Sequence, residues 1–130
     1  MLLIYSKESE EAKLAAEDFA AMRGAHWAVM DETSKLGIFR GAEPLRPTST
    51  ATTVRVKDGK ALITDGPFAE TKEQLAGYYI LDCKDLDEAI GWAQRIPTGC
   101  KGDYGSVEIR PLEPVPQPGD AAFDALRPRS

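Results

Sequence analysis

Residues 50–73 read TATTVRVKDGKALITDGPFAETKE. A β-rich run, Thr50–Val56, meets the turn Lys57-Asp58-Gly59-Lys60 and returns through Ala61–Thr64. Asp-Gly between two such runs is a strong hairpin signal, because the tight turn needs residues that tolerate positive φ. Asp65-Gly66-Pro67 then stops the return strand: Gly66 supplies a special backbone conformation and Pro67 fixes the next φ. Glu70, Lys72 and Glu73 follow as a solvated turn ahead of the next apolar run. Reading 50–64 as a self-contained hairpin, and not as part of the main sheet, decides the fold.

The flanks support that reading. Leu2–Tyr5 is a compact apolar run that fits a buried strand. Residues 8–36 carry helical spacing, with Leu14, Ala15, Phe19, Met22, His26, Met30 and Thr33 on one face. Ser6 and Ser9 are N-cap candidates, Gly24 weakens the middle, and Gly37 suits the position just past the helix end. Ile38–Glu43 reads as a second strand and Leu75–Cys83 (LAGYYILDC) as another. Asp85, with Glu88 three residues on, caps a second helix through Leu86, Ala89, Ile90, Ala93 and Ile96. Pro97, Gly99 and Gly102 close it, and Ser106–Leu112 is the last strand.

Removing the hairpin leaves βαββαβ, the ferredoxin-like order of an α+β domain. Both helices then cover one sheet face, and pairing two subunits face to face covers the other, so the topology predicts a homodimer. The domain spans residues 1–112. Residues 113–130 form a C-terminal tail, introduced by four prolines within residues 111–118. Asp120 caps a short turn bearing Phe123 and Leu126, which is either a frayed end or a docking arm.

The chain has 130 residues, 42% apolar and 28% charged, enough for one real core without disulfides or metals. Its net charge of −5 argues against nucleic acid as a partner. Cys83 and Cys100 show no CxxC spacing and the chain holds one histidine, too few ligands for a structural zinc site. Two reduced thiols fit a cytoplasmic protein. MLLIY lacks the basic flank and cleavage site of a signal peptide, and no apolar run reaches transmembrane length. No phosphate-binding glycine loop, HExxH or GxSxG pattern is present, and the reading calls for no cofactor and no metal.

The pieces P-x-S-T-A-T-T-V-R, K-D-G, T-D-G-P-F-A-E-T-K-E and G-Y-Y-I, with D-L-D-E-A-I-G-W-A and S-V-E-I-R-P downstream, resemble the DGPF subgroup of the YCII-related proteins. The resemblance covers residues 1–112 and implies a dimeric α+β barrel. Some YCII-related proteins carry a His-Asp pair in a cleft. The wider barrel group includes lyases, isomerases and monooxygenases acting on small, often aromatic-derived molecules. DGPF members are also associated with extracytoplasmic-function sigma factors, which implies a regulatory alternative.

Against that background His26 and Asp65 are the candidate catalytic pair. His26 shares the helix's apolar face, where it is either a general base tuned by burial or a core histidine satisfied by one hydrogen bond. By resemblance it falls near the histidine of YCII-related proteins. Asp65 either bonds its own turn or orients His26 or a substrate. Such a pair suits a cofactor-independent lyase or isomerase step on a small molecule. Arg40, Phe68 and Tyr78 are the candidate substrate-binding residues. Phe68 is read as a core plug or pocket wall, and Arg40, alternating with Phe39, as facing away from it.

Overall fold

A computed structural model of the chain describes residues 1–98 and 105–128. Four strands form the main sheet: β1 (Leu2–Ser6), β2 (Phe39–Pro44), β5 (Gln74–Leu81) and β6 (Gly105–Ile109). Their spatial order is β2-β5-β1-β6, and each neighbouring pair is antiparallel. The hairpin is separate: among the described residues, β3 (Thr52–Lys57) and β4 (Lys60–Asp65) pair only with each other, in a two-stranded sheet inserted between β2 and β5. Asp58 and Gly59 make its turn with φ of 54° and 75°. The result is an α+β fold with four helices among the described residues.

Strand periodicity sorts the sheet into two faces. Leu2, Ile4 and Ser6 of β1 and Gly77, Tyr79 and Leu81 of β5 are buried, while Leu3, Tyr5, Tyr78 and Ile80 are half-buried. Register places Leu2 opposite Tyr79 and Leu3 opposite Tyr78, so the two sets point in opposite directions. The buried set packs with Val29 and Met30 of α2 (Ala16–Lys35) and with Trp92 and Ala93 of α3 (Leu86–Ala93) and Ile96 just beyond it. Each fully buried aliphatic side chain here contributes about 1.5–3 kcal/mol. Arg95 stacks over Trp92 at 4.9 Å and pairs with Glu32, tying the end of α3 to α2. The opposite face, with Leu3, Tyr5, Tyr78 and Ile80, is covered by neither helix.

The helical region divides at a place the sequence reading did not choose. A single turn, α1 (Glu8–Glu11), is followed by α2, which runs unbroken through Gly24. Ser6 caps nothing: it belongs to β1 and is buried, and its Oγ has no hydrogen-bond partner among the described residues. The start of α2 is held instead by Asp18, whose Oδ2 accepts from Ala15 N at 3.1 Å. Its end follows the expected pattern: Gly37 has φ 74°, and Ile38 N donates to Thr33 O at 3.0 Å. Thr33, fully buried, returns its hydroxyl to Val29 O at 2.7 Å. The cap of α3 also holds: Glu88 N donates to Asp85 Oδ1 at 2.8 Å, while the Glu88 carboxylate accepts from Lys84 N at 3.0 Å. In the tail, Asp120 precedes the short helix α4 (Ala121–Ala125), but its carboxylate accepts from Gln117 N and no helix amide. The expected loop through Gly99, Cys100 and Gly102 lies outside the described residues. Among the described residues, no helix is long and apolar enough to cross a membrane.

Candidate functional site

Helix α2 presents His26 inward because the residue lies four positions after Met22 and four before Met30 on the half-buried stripe. Strand β5 presents Tyr79 to the same space, on the face that also buries Leu81. His26 Nδ1 and the Tyr79 hydroxyl meet at 2.8 Å, and the hydroxyl lies 3.4 Å from the His26 carbonyl oxygen. Their rings are nearly parallel, at 17°, with centroids 5.9 Å apart.

Burial sets the charge states of this pair. Loss of solvent lowers the His26 pKa, since the imidazolium is the form that suffers from desolvation. The same effect pushes the Tyr79 phenol up to about 12. Both groups are therefore neutral at pH 7. A neutral imidazole with one nitrogen engaged keeps the other for a proton transfer or a hydrogen bond to a ligand.

Asp65 belongs to the hairpin. It is the last residue of β4, exposed, and opposite Thr52 in the hairpin register. The turn after it is closed by backbone and hydroxyl: Gly66 N donates to Ala51 O at 2.7 Å and Thr53 Oγ1 to Gly66 O at 2.8 Å. Gly66 has φ 96°, the left-handed conformation expected of it. The DGPF segment thus seals the base of the hairpin.

The three expected substrate-binding residues are dispersed. Phe68 is 77% exposed, so the core-plug reading fails. Tyr78 lies on the helix-free face, opposite Glu43 and Leu3. Arg40 is exposed, as its alternation with Phe39 requires, and donates to the carbonyls of Gly37 and Phe39 and to Asp82 at 3.0 Å. It also borders a cavity of about 510 Å³ at one end of the sheet, where Leu2, Leu81, Ala89 and Ile109 form apolar walls beside Asp82 and Cys83. Burial raises the Cys83 thiol, with Glu88 adding to the effect, so it is held as a thiol and not a nucleophile. Neither His26 nor Asp65 borders that cavity. Among the described residues, no group of three or more His, Cys, Asp or Glu side chains is placed to hold a metal ion.

Tyr79 is the residue whose position gives His26 its setting. A signal for it exists in LAGYYIL: alternation puts one tyrosine on the face of Leu81, and a buried phenol needs a polar partner. The one histidine on the facing helix stripe meets that need.

Sheet order, helix placement and the inserted hairpin define a small α+β domain, and the comparisons supply its family. The YCII-related domain matches residues 1–113. The chain is 37% identical over 111 residues to the uncharacterised protein R00369 of Rhizobium meliloti (strain 1021), covering 85% of this chain and 89% of that protein. This chain belongs to the YCII-related family.

Proposed function

We propose that this protein is a DGPF-type member with the ferredoxin-like βαββαβ order, pairing through its helix-free sheet face into a dimeric barrel and handling a small molecule by acid–base chemistry without a cofactor. The observation that carries the chemistry is the 2.8 Å contact between His26 Nδ1 and the Tyr79 hydroxyl. If Nδ1–H donates to Tyr79, the phenol keeps its own proton for the His26 carbonyl at 3.4 Å, and Nε2 is the free acceptor. That tautomer uses both contacts and leaves a neutral base in a site that disfavours the charged form. Asp65 stays in the proposal as the second group of the pair and is tested separately.

The test is deuterium wash-in. Small cyclic and aromatic-derived acids and lactones with acidic C–H bonds are incubated with the protein in D2O. Exchange catalysed by the wild type and reduced about a hundredfold or more in His26→Gln supports the base. A parallel loss in Asp65→Asn supports the pair, and unchanged exchange there removes Asp65 from it. Equal exchange in wild type and His26→Gln overturns the reading.

The exposed apolar side chains of the C-terminal tail, Val115 and Leu126, favour a second reading as a regulatory partner of an extracytoplasmic-function sigma factor. A pull-down in which deletion of residues 113–130 abolishes capture of such a factor supports it, and unchanged capture counts against the tail.

A further inference from the structure

The cavity at one end of the sheet takes no part in the His26–Tyr79 contact, since neither residue borders it. Its volume of about 510 Å³ falls within the roughly 300–1,000 Å³ of small-molecule sites. Leu2, Leu81 and Ala89 are buried and Ile109 is half-buried, and together they wall it. Register sets Leu2 beside Ile109 on the helix-covered side of the sheet, where Leu81 also lies. This part of the wall therefore stands whether or not a second copy covers the face that carries Ile80. Two leucines on the border, Leu86 and Leu112, are 61% and 52% exposed. A hydrocarbon group seated between them would take that apolar surface out of water.

Four charged side chains border the cavity, and three of them are already engaged. Arg40 donates to the carbonyls of Gly37 and Phe39 at 2.9 and 3.2 Å and to Asp82 at 3.0 Å. Asp85 accepts from Glu88 N at 2.8 Å. Arg110 differs: its guanidinium stands 3.8 Å from a Glu108 oxygen, beyond hydrogen-bond length, and its side chain is 68% exposed. We infer that this cavity binds a small monocarboxylic acid, with its hydrocarbon body against Leu2, Leu81, Ala89 and Ile109 and its carboxylate on the Arg110 guanidinium.

Charge selects the acid among apolar ligands. A planar guanidinium takes a carboxylate through two parallel N–H donors and stays charged at any working pH. An amine would meet the like charge of Arg110. It would also have to draw Asp82 from Arg40 or Asp85 from the first turn of α3. An alcohol of the same length offers the apolar walls the same body but gives Arg110 no counter-charge. Cys83, also on the border, is held as a thiol and adds no charge of its own.

The cavity and the His26 contact are separate, so either reading can fail alone. The test titrates the full chain with octanoate, phenylbutyrate, octanol and octylamine, by calorimetry and by amide NMR shifts. At least one of the two acids should bind about tenfold or more tighter than octanol, with shifts centred on Leu2, Leu81 and Ala89. Arg110→Gln, at an exposed position, should keep its circular dichroism and weaken the acid about tenfold, to the level of the alcohol. Arg110→Lys, which keeps the charge without the planar fork, should fall between the two. Absence of binding by either acid, shifts that map away from the cavity, equal acid affinity in wild type and Arg110→Gln, or octylamine bound more tightly than the acids would each overturn the inference.

Discussion

His26 Nδ1 and the Tyr79 hydroxyl stand 2.8 Å apart between helix α2 and strand β5, where a titratable ring of the helix layer meets a polar tip of the sheet layer. The contact is both structural and chemical. It satisfies a buried phenol, and it fixes which nitrogen of the imidazole is free. Burial of this pair makes His26 a neutral residue that acid must charge.

The pH dependence follows from that direction. His26 is harder to protonate in the folded protein than in the unfolded chain, so the unfolded state binds more protons as pH falls. Its contribution to stability is complete above the unfolded pKa, is lost as pH drops through about 6.5, and levels off below the folded value. Thermal unfolding from pH 7.5 to 5 should show this slope in the wild type and lose it in His26→Gln. Tyr79→Phe should keep the slope, since desolvation causes it. That variant leaves Nδ1 without its partner, at a cost of about 1–2 kcal/mol and a Tm lower by about 3–6 °C. NMR titration of the His26 ring carbons measures the depressed pKa directly.

Most of the fold was legible because its signals are local. The Asp58-Gly59 turn, the alternation in LAGYYIL, the Asp85 cap and the Gly37 stop are each written in a few neighbouring residues, and all four are present in the structure. Ser6 was misread because strand and cap propensities compete at a strand-to-helix junction, and pairing with Gln74 and Gly105 extends β1 through it. Phe68 was misread because composition alone does not reveal that the hairpin stands off the body. Tyr79 and His26 are 53 residues apart, and only the sheet order brings them together. Asp65 drew attention through its motif, yet its neighbours Ala51, Thr53 and Gly66 show that the motif closes a hairpin base.

Two glycines should respond to alanine with opposite sign. A Cβ on Gly77 would lie 2.8 Å from Glu43 O and 3.2 Å from Pro44 Cα, both backbone atoms of β2. Strand β2 must move away, so Gly77→Ala should cost about 1–3 kcal/mol and raise amide exchange along β2. A Cβ on Gly24, within α2, meets nothing within 4 Å. Gly24→Ala should stabilise by about 0.5–1 kcal/mol through helix propensity. Denaturant midpoints at constant m-value read both.

The Arg40–Asp82 ion pair, at 3.0 Å, looks prominent at the mouth of the cavity, but both side chains are at least half exposed. Water screens such a pair, so Asp82→Asn should change stability by less than about 1 kcal/mol. Raising the salt concentration should shrink even that difference. A loss well beyond this, measured by urea unfolding, would show that Arg40 depends on Asp82 for more than a surface contact.

Glu8 anchors the hairpin's base to the body. Its carboxylate accepts from Thr48 N and from Thr48 Oγ1, both at 2.8 Å, while its own amide donates to Gln74 Oε1 at 3.0 Å. Thr48 opens the short 3₁₀ turn leading into β3, and Gln74 opens β5, so one residue of α1 holds both chain segments that bracket the insertion. Glu8→Ala removes the acceptor from a part-buried amide and should cost about 1–3 kcal/mol. Glu8→Gln keeps a neutral acceptor for one donor and should recover part of that. Hydrogen exchange separates anchoring from general stability: under native conditions, amides 48–66 should exchange faster in Glu8→Ala while those of β1 and β6 stay protected. Uniform loss of protection across the sheet would mean that Glu8 supports the whole domain and that the hairpin is held some other way.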